Sequence, residues 1–132
     1  MSMTRLFVYG TLMPGQVRWH LLDPHVEGSP QLADVRGRLF DTGSGWPAAV
    51  FSDDDPASLV PGVLVMLDPS TADRALTLLD EVEGVASGLF SRVDVATLEG
   101  VPCCTYSWCG PTVRLQQIES WAERSGDIHS AQ

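Results

Sequence analysis

The chain contains no lysine; its basic residues are all arginines, and 17 acidic residues against 8 basic ones leave a formal net charge of −9. Without lysine there is no Schiff-base chemistry and no lysine to reach a nucleotide's outer phosphates. A field of this sign repels phosphate backbones and anionic headgroups, so neither nucleic acid nor a membrane surface is an expected partner. Long apolar runs are missing too. None approaches the length needed to cross a bilayer, and only Leu6-Phe7-Val8-Tyr9 precedes Gly10, too little for a secretory core. A cytoplasmic location is expected. Histidine is scarce, and His20 and His25 stand five apart, not at the i, i+4 spacing of a metal-binding helix. The three cysteines, Cys103, Cys104 and Cys109, are odd in number and crowded, which argues against a disulfide framework. Neighbours on a strand face opposite ways, so Cys103 and Cys104 would not converge on one zinc. All three are expected as buried, reduced, small hydrophobes, and no metal or cofactor is expected.

What is present suits a folded protein. At 132 residues, with 44% hydrophobic and 19% charged residues, the chain can bury one sizeable core without staples. Repeats, linkers and low-complexity segments are lacking, so residues 1–126 are read as one domain and 127–132 as a C-terminal tail. Residues 5–9 read as a strand, followed by a short helical turn within 16–22, stopped at Asp23-Pro24, and a polar loop to Pro30. Alternation of Ala33, Val35, Gly37 and Leu39 with polar neighbours predicts a half-buried strand over 31–41. Further strands are expected at 48–51 and 60–67, and a hairpin at 89–97 and 102–108 around Leu98-Glu99-Gly100-Val101. One helix is expected over 69–82, opened by Ser70 with Asp73 three residues on, and another over 113–126 ending at Gly126. Such an order predicts an α+β domain on a curled, largely antiparallel sheet.

The stretch Val8-Tyr9-Gly10-Thr11-Leu12-Met13-Pro14-Gly15 has the glycine spacing of a phosphate-binding loop. The two residues that follow are Gln16 and Val17, which can neither reach phosphates nor hold magnesium. What survives is a strand ending in a glycine, whose missing Cβ lets a ligand approach backbone amides that suit a carboxylate or a developing oxyanion. A plain tight turn is the alternative.

The segment Leu78-Leu79-Asp80-Glu81-Val82-Glu83-Gly84 puts three carboxylates in the last turn of a helix, where the dipole favours cations. At 100° per residue from Leu79, Glu83 falls at about 40°, inside the stripe of Ala72, Ala75, Leu76 and Val82, whereas Glu81 lies near 200° and Asp80 near 100°. Only Glu83 points inward. Desolvation, the dipole and Asp80 are all expected to raise its pKa, which tunes a base. Alternatively, the helix frays before Glu83, or an arginine such as Arg92 neutralises it.

These two places, with Gly37 to Ala48, the segment from Gly88 to Arg92, and Cys104 to Trp108, resemble the gamma-glutamylcyclotransferase-like superfamily, and most closely its gamma-glutamylamine cyclotransferase branch and bacterial relatives. The resemblance implies a small mixed, largely antiparallel β-barrel flanked by helices. It also implies that the free α-amine of a small-molecule γ-glutamyl substrate attacks its own γ-carbonyl, releasing an amine and 5-oxoproline. Glu83 matches the family's general acid/base, and Tyr9, Gly10, Thr11 and Leu12 match the loop whose amides hold substrate oxygens. Tyr106 also sits at a family position, as a substrate contact or as a core tyrosine. Phe90 and Trp46 depart from the tyrosines usual at their places. A monomer or weak homodimer is expected. Trp19, Trp46 and Trp108 are candidates for either pocket or core. The alternative from a different class is a non-catalytic small-ligand binding module on the same barrel.

Overall fold

The computed structural model describes residues 4–121. Strand β1 spans Arg5–Val8; a four-residue helix α1, Trp19–Leu22, runs into one 3-10 turn, Asp23–His25; then follow β2, Val26–Asp41, β3, Pro47–Phe51, and β4, Leu59–Leu67. Helix α2, Ala72–Val82, precedes β5, Phe90–Ala96, β6, Pro102–Trp108, and β7, Gln116–Ile118. The strands pair in the order β3-β2-β4-β1-β6-β5, antiparallel throughout except for β1 with β6, and β7 adds to β2. Because β3 also lies against β6, the sheet curls into a nearly closed barrel. The fold is thus mixed α+β, with two short helices on a mostly antiparallel barrel.

Alternation explains the inner half of β2: Val35, Gly37 and Leu39 are buried between half-exposed Asp34, Arg36 and Arg38. The core holds Leu6, Phe7, Val60, Val65 and Leu67, each almost fully buried and drawn from both faces of the sheet, together with Leu22 from α1 and Leu79 from α2. A buried leucine of this kind contributes about 2 kcal/mol. Cys103 and Cys104 are both buried although they face opposite ways on β6, and burial raises each thiol to about 11. Neither is reactive at neutral pH.

Several expectations are corrected. The polar stretch 26–30 is not a loop but the outer part of β2, paired with β4 around an irregularity between Glu27 and Gln31. Residues 113–118 are not helical: Val113 is exposed, and Gln116–Ile118 pair with Leu39–Asp41 of β2. The end of that expected helix at Gly126 and the tail 127–132 lie outside the described residues. Ser70 does not cap α2. Thr71 takes the N-cap position without a capping bond, while the amide and hydroxyl of Ser70 both donate to Asp68 Oδ1, at 2.9 and 2.8 Å. An aspartate-led turn delivers the chain into the helix instead. Cys109 is exposed rather than buried.

Among the described residues no helix is long and apolar enough to cross a membrane. Nor does any cluster of His, Cys, Asp and Glu among them have the makings of a metal site.

Candidate active site

Helix α2 stops in a paired closure. The Gly84 amide donates to Glu81 O at 3.2 Å and the Val85 amide to Asp80 O at 3.0 Å, satisfying two of the helix's last carbonyls. That geometry holds Gly84 at φ +71°, where a side chain costs about 1–2 kcal/mol. Glu83 is the last residue with helical dihedrals, φ −84° and ψ −2°, and its amide still donates to Leu79 O at 2.8 Å. The helix therefore does not fray before it. Since Ala72, Ala75, Leu76 and Leu79 are the buried stripe, helical spacing carries Glu83 to the same side, while Glu81 is exposed and Asp80 half-buried.

Glu83 lines a pocket together with Tyr9, Gly10, Thr11, Leu12 and Tyr106. The structure thus brings all six sequence candidates to one place. The pocket is open to solvent, and the roughly 360 Å³ of empty space between its lining residues includes that open mouth. Burial raises the Glu83 carboxyl above its ordinary value of 4.5, and the positive charge of Arg18 partly opposes the shift. Asp80 does not act on Glu83 in the expected way. Its Oδ1 accepts the Tyr106 hydroxyl at 2.7 Å and lies 3.5 Å from Arg92 Nε. Arg92 is accordingly paired with Asp80 and is not the neutraliser of Glu83.

The turn after β1 forms a second part of the pocket lining. It is closed by the Met13 amide to Gly10 O at 3.0 Å and by the Arg18 amide to Thr11 O at 2.8 Å. No long helix follows, as a phosphate loop would require; α1 has four residues. The amides of Gly10, Thr11 and Leu12 donate no hydrogen bond to any described residue, although all three residues are buried. Buried amides of this kind are ready partners for a ligand's oxygens. Within the protein itself a glycine is required at position 10: a Cβ there would meet Pro47 Cγ at 2.5 Å and Cδ at 2.9 Å. The glycine admits a proline of the pocket wall, and its φ is not positive.

Tyr9 is held by its own hydroxyl, which donates to Tyr106 O at 2.6 Å. Burial, then the charge of Glu83, push its pKa well above the usual value, so it stays a donor. Burial and Asp80 likewise push up Tyr106. Sequence reasoning did not single out Thr105 or Pro47 as pocket residues, nor Arg18 as a charge acting on Glu83. Thr105 is fully buried with its hydroxyl donating to Phe7 O at 2.8 Å, and nothing in its local sequence marks it. Trp46 and Phe90, which sequence comparison marked as departures, both line the pocket.

A carboxylate tuned upward, sharing a small pocket with unpartnered amides, is equipped to move a proton beside a developing oxyanion. Residues 6–127 match the family described as gamma-glutamyl cyclotransferase, AIG2-like, and the chain belongs to that family. Among solved structures, the uncharacterized protein PH0828 from Pyrococcus horikoshii is 19% identical, with 96% of this chain and 97% of that one covered and a TM-score of 0.69. An AIG2-like protein from Mus musculus is 22% identical, covering 91% and 88%, with a TM-score of 0.66. A gamma-glutamyl cyclotransferase is 24% identical, covering 88% and 70%, with a TM-score of 0.54. At these identities the likeness is one of fold. No curated protein matches the sequence.

Proposed function

We propose that this chain is a γ-glutamyl cyclotransferase that converts a γ-glutamyl amide into 5-oxoproline and a free amine. The observation that carries the reading is the Glu83 carboxyl, raised by burial, in one pocket with the unpartnered Gly10–Leu12 amides. The substrate's α-amine is mostly protonated near neutral pH. Glu83 takes a proton from it, and the freed nitrogen attacks the γ-carbonyl to form the ring C–N bond. The carbonyl oxygen becomes an oxyanion held by the turn amides. As the adduct collapses, the bond to the leaving nitrogen breaks and Glu83 returns a proton to it. The ring nitrogen's second surplus proton, and the one the released amine takes up, exchange with solvent.

Because nucleophile and electrophile belong to one molecule, the protein's main task is to fold the γ-glutamyl chain into ring geometry. No covalent enzyme intermediate is needed, in keeping with Cys103 and Cys104 being buried and fully protonated at neutral pH. The test is incubation with a panel of γ-glutamyl amides and dipeptides, with 5-oxoproline followed by mass. Release from at least one is expected. Binding of several without any release would replace this reading with that of a ligand-binding module.

A further inference from the structure

Three aromatic rings from three separate elements meet beside the Glu83 pocket. Trp46, at the end of the β2–β3 turn, lies 5.8 Å from Phe90 and 5.6 Å from Trp108, and Phe90 lies 5.4 Å from Trp108 in an edge-on contact. The last pair is also opposed in the β5–β6 ladder. Hydrogen bonds anchor the two tryptophans. Thr42 donates from its hydroxyl to Trp46 O at 2.6 Å, which pins the turn carrying Trp46, and Trp108 Nε1 donates to Pro111 O at 3.2 Å. Phe90 is buried, whereas Trp46 and Trp108 are only half-buried, so apolar ring surface stays open beside the pocket. Trp46 and Phe90 line that pocket directly, and Trp108 backs them.

The pocket lining therefore combines two kinds of surface. The turn after β1 supplies unpartnered backbone donors, and Trp46 and Phe90 supply aromatic rings, with the backing Trp108 indole N–H already committed. A γ-glutamyl amide has the same polarity: an α-amine and α-carboxylate at one end, the amine's substituent at the other. With the polar groups of the lining taken up by the γ-glutamyl head, the aromatic rings of Trp46 and Phe90 are left as surface for the amine's substituent. Resting on the reaction proposed above, we infer that Trp46 and Phe90, supported by Trp108, form the leaving-amine subsite, and that it selects amines bearing a flat apolar substituent such as benzyl. Such a group packs edge-on or offset against the rings, as they already pack against one another. A compact amine such as methylamine would leave that surface in water.

In Glu83→Gln protein turnover is expected to fall by at least ~10²-fold, so affinity can be read apart from chemistry. By titration calorimetry, γ-glutamylbenzylamide is expected to bind at least about tenfold more tightly than γ-glutamylmethylamide. Adding Trp46→Ala, or Trp46→Gln where alanine compromises folding, should bring that ratio below about threefold. Equal affinities, or a ratio untouched by both Trp46 variants, would overturn the subsite. Turnover of the same two amides by the unsubstituted protein separates the two ideas. Release of 5-oxoproline from both without discrimination in binding leaves the reaction standing and removes the subsite. Preferential binding of the benzylamide without release from either keeps the apolar subsite and removes the reaction. Failure of the folded protein to bind either compound removes both.

Discussion

The Tyr106 hydroxyl donates to Asp80 Oδ1 at 2.7 Å, and so ties the last turn of α2 to the barrel strand β6. Three residues later the helix ends on Glu83. Since the same Asp80 oxygen lies 3.5 Å from Arg92 Nε on β5, two strands hold the turn that positions the carboxylate. Tyr106→Phe should therefore cost about 1 kcal/mol of stability through one lost hydrogen bond. Its hydroxyl is engaged by Asp80, so kcat should fall with KM little changed. A rise in KM at unchanged kcat would instead make the hydroxyl a substrate contact.

Glu83→Gln keeps the shape and removes the proposed base. Turnover is expected to drop by at least ~10²-fold, the scale of acid–base catalysis. Glu81→Gln, on the exposed side of the same turn, should stay close to the unsubstituted protein. Steady-state 5-oxoproline release decides it, and equal turnover by a folded Glu83→Gln protein would take Glu83 out of the mechanism.

The pH dependence has a fixed sign. Glu83 must be ionised to accept a proton, and burial raises its pKa above 4.5, so kcat/KM should climb with pH through an acid limb above the ordinary glutamate range. Arg18 opposes the shift, and Arg18→Met should move that limb to higher pH. Stability follows by linkage. A carboxyl whose folded pKa exceeds its unfolded one carries no penalty below the unfolded value, and the penalty grows as pH rises through the folded value. Glu83→Gln should therefore gain melting temperature relative to the parent toward neutral pH, with the gap closing below about 4.5. A gap that widens toward acid would contradict the assignment.

Strands with one face in the core were legible, because burial imposes a period of two on residues such as Val35, Gly37 and Leu39. The outer part of β2 was not: Glu27, Gly28, Ser29 and Pro30 are exposed, and the strand is held to β4 through Val26 and Glu27 before the irregularity and from Gln31 after it, by backbone pairing that leaves no pattern in side chains. Residues 113–118 misled for the opposite reason. Their apolar spacing fits a helix, yet pairing with Leu39–Asp41 of β2 overrides that local preference. At the site, the placement of Glu83 was legible because α2 is amphipathic and one rotation per residue fixes its face. The pairing of Asp80 with Tyr106 and Arg92 joins residues 26 and 12 positions apart on separate elements, and the action of Arg18 on Glu83 spans a longer interval still. Neither leaves a trace in spacing.

The turn after β1 gives the last prediction. Gly10 faces Pro47, whose ring would meet a Cβ at 2.5 Å, and Pro47 is itself a strand residue of the pocket wall. A proline ring cannot swing aside as a long side chain can, so in Gly10→Ala either β3 or the turn must move. Both carry the pocket. Thr11→Ala keeps its amide and loses only a hydroxyl, for which no protein partner exists among the described residues. Gly10→Ala should therefore lose both 5-oxoproline affinity and stability, by about 1–3 kcal/mol in the latter as overpacked sites do, while Thr11→Ala keeps most of both. In a thermal shift assay 5-oxoproline should stabilise the unsubstituted protein, and ATP with magnesium should not, since the loop lacks the lysine that a phosphate site needs. The reverse order of damage, with both variants folded, would mean that the threonine side chain and not the backbone holds the ligand's oxygen, and the oxyanion role of the turn would fall.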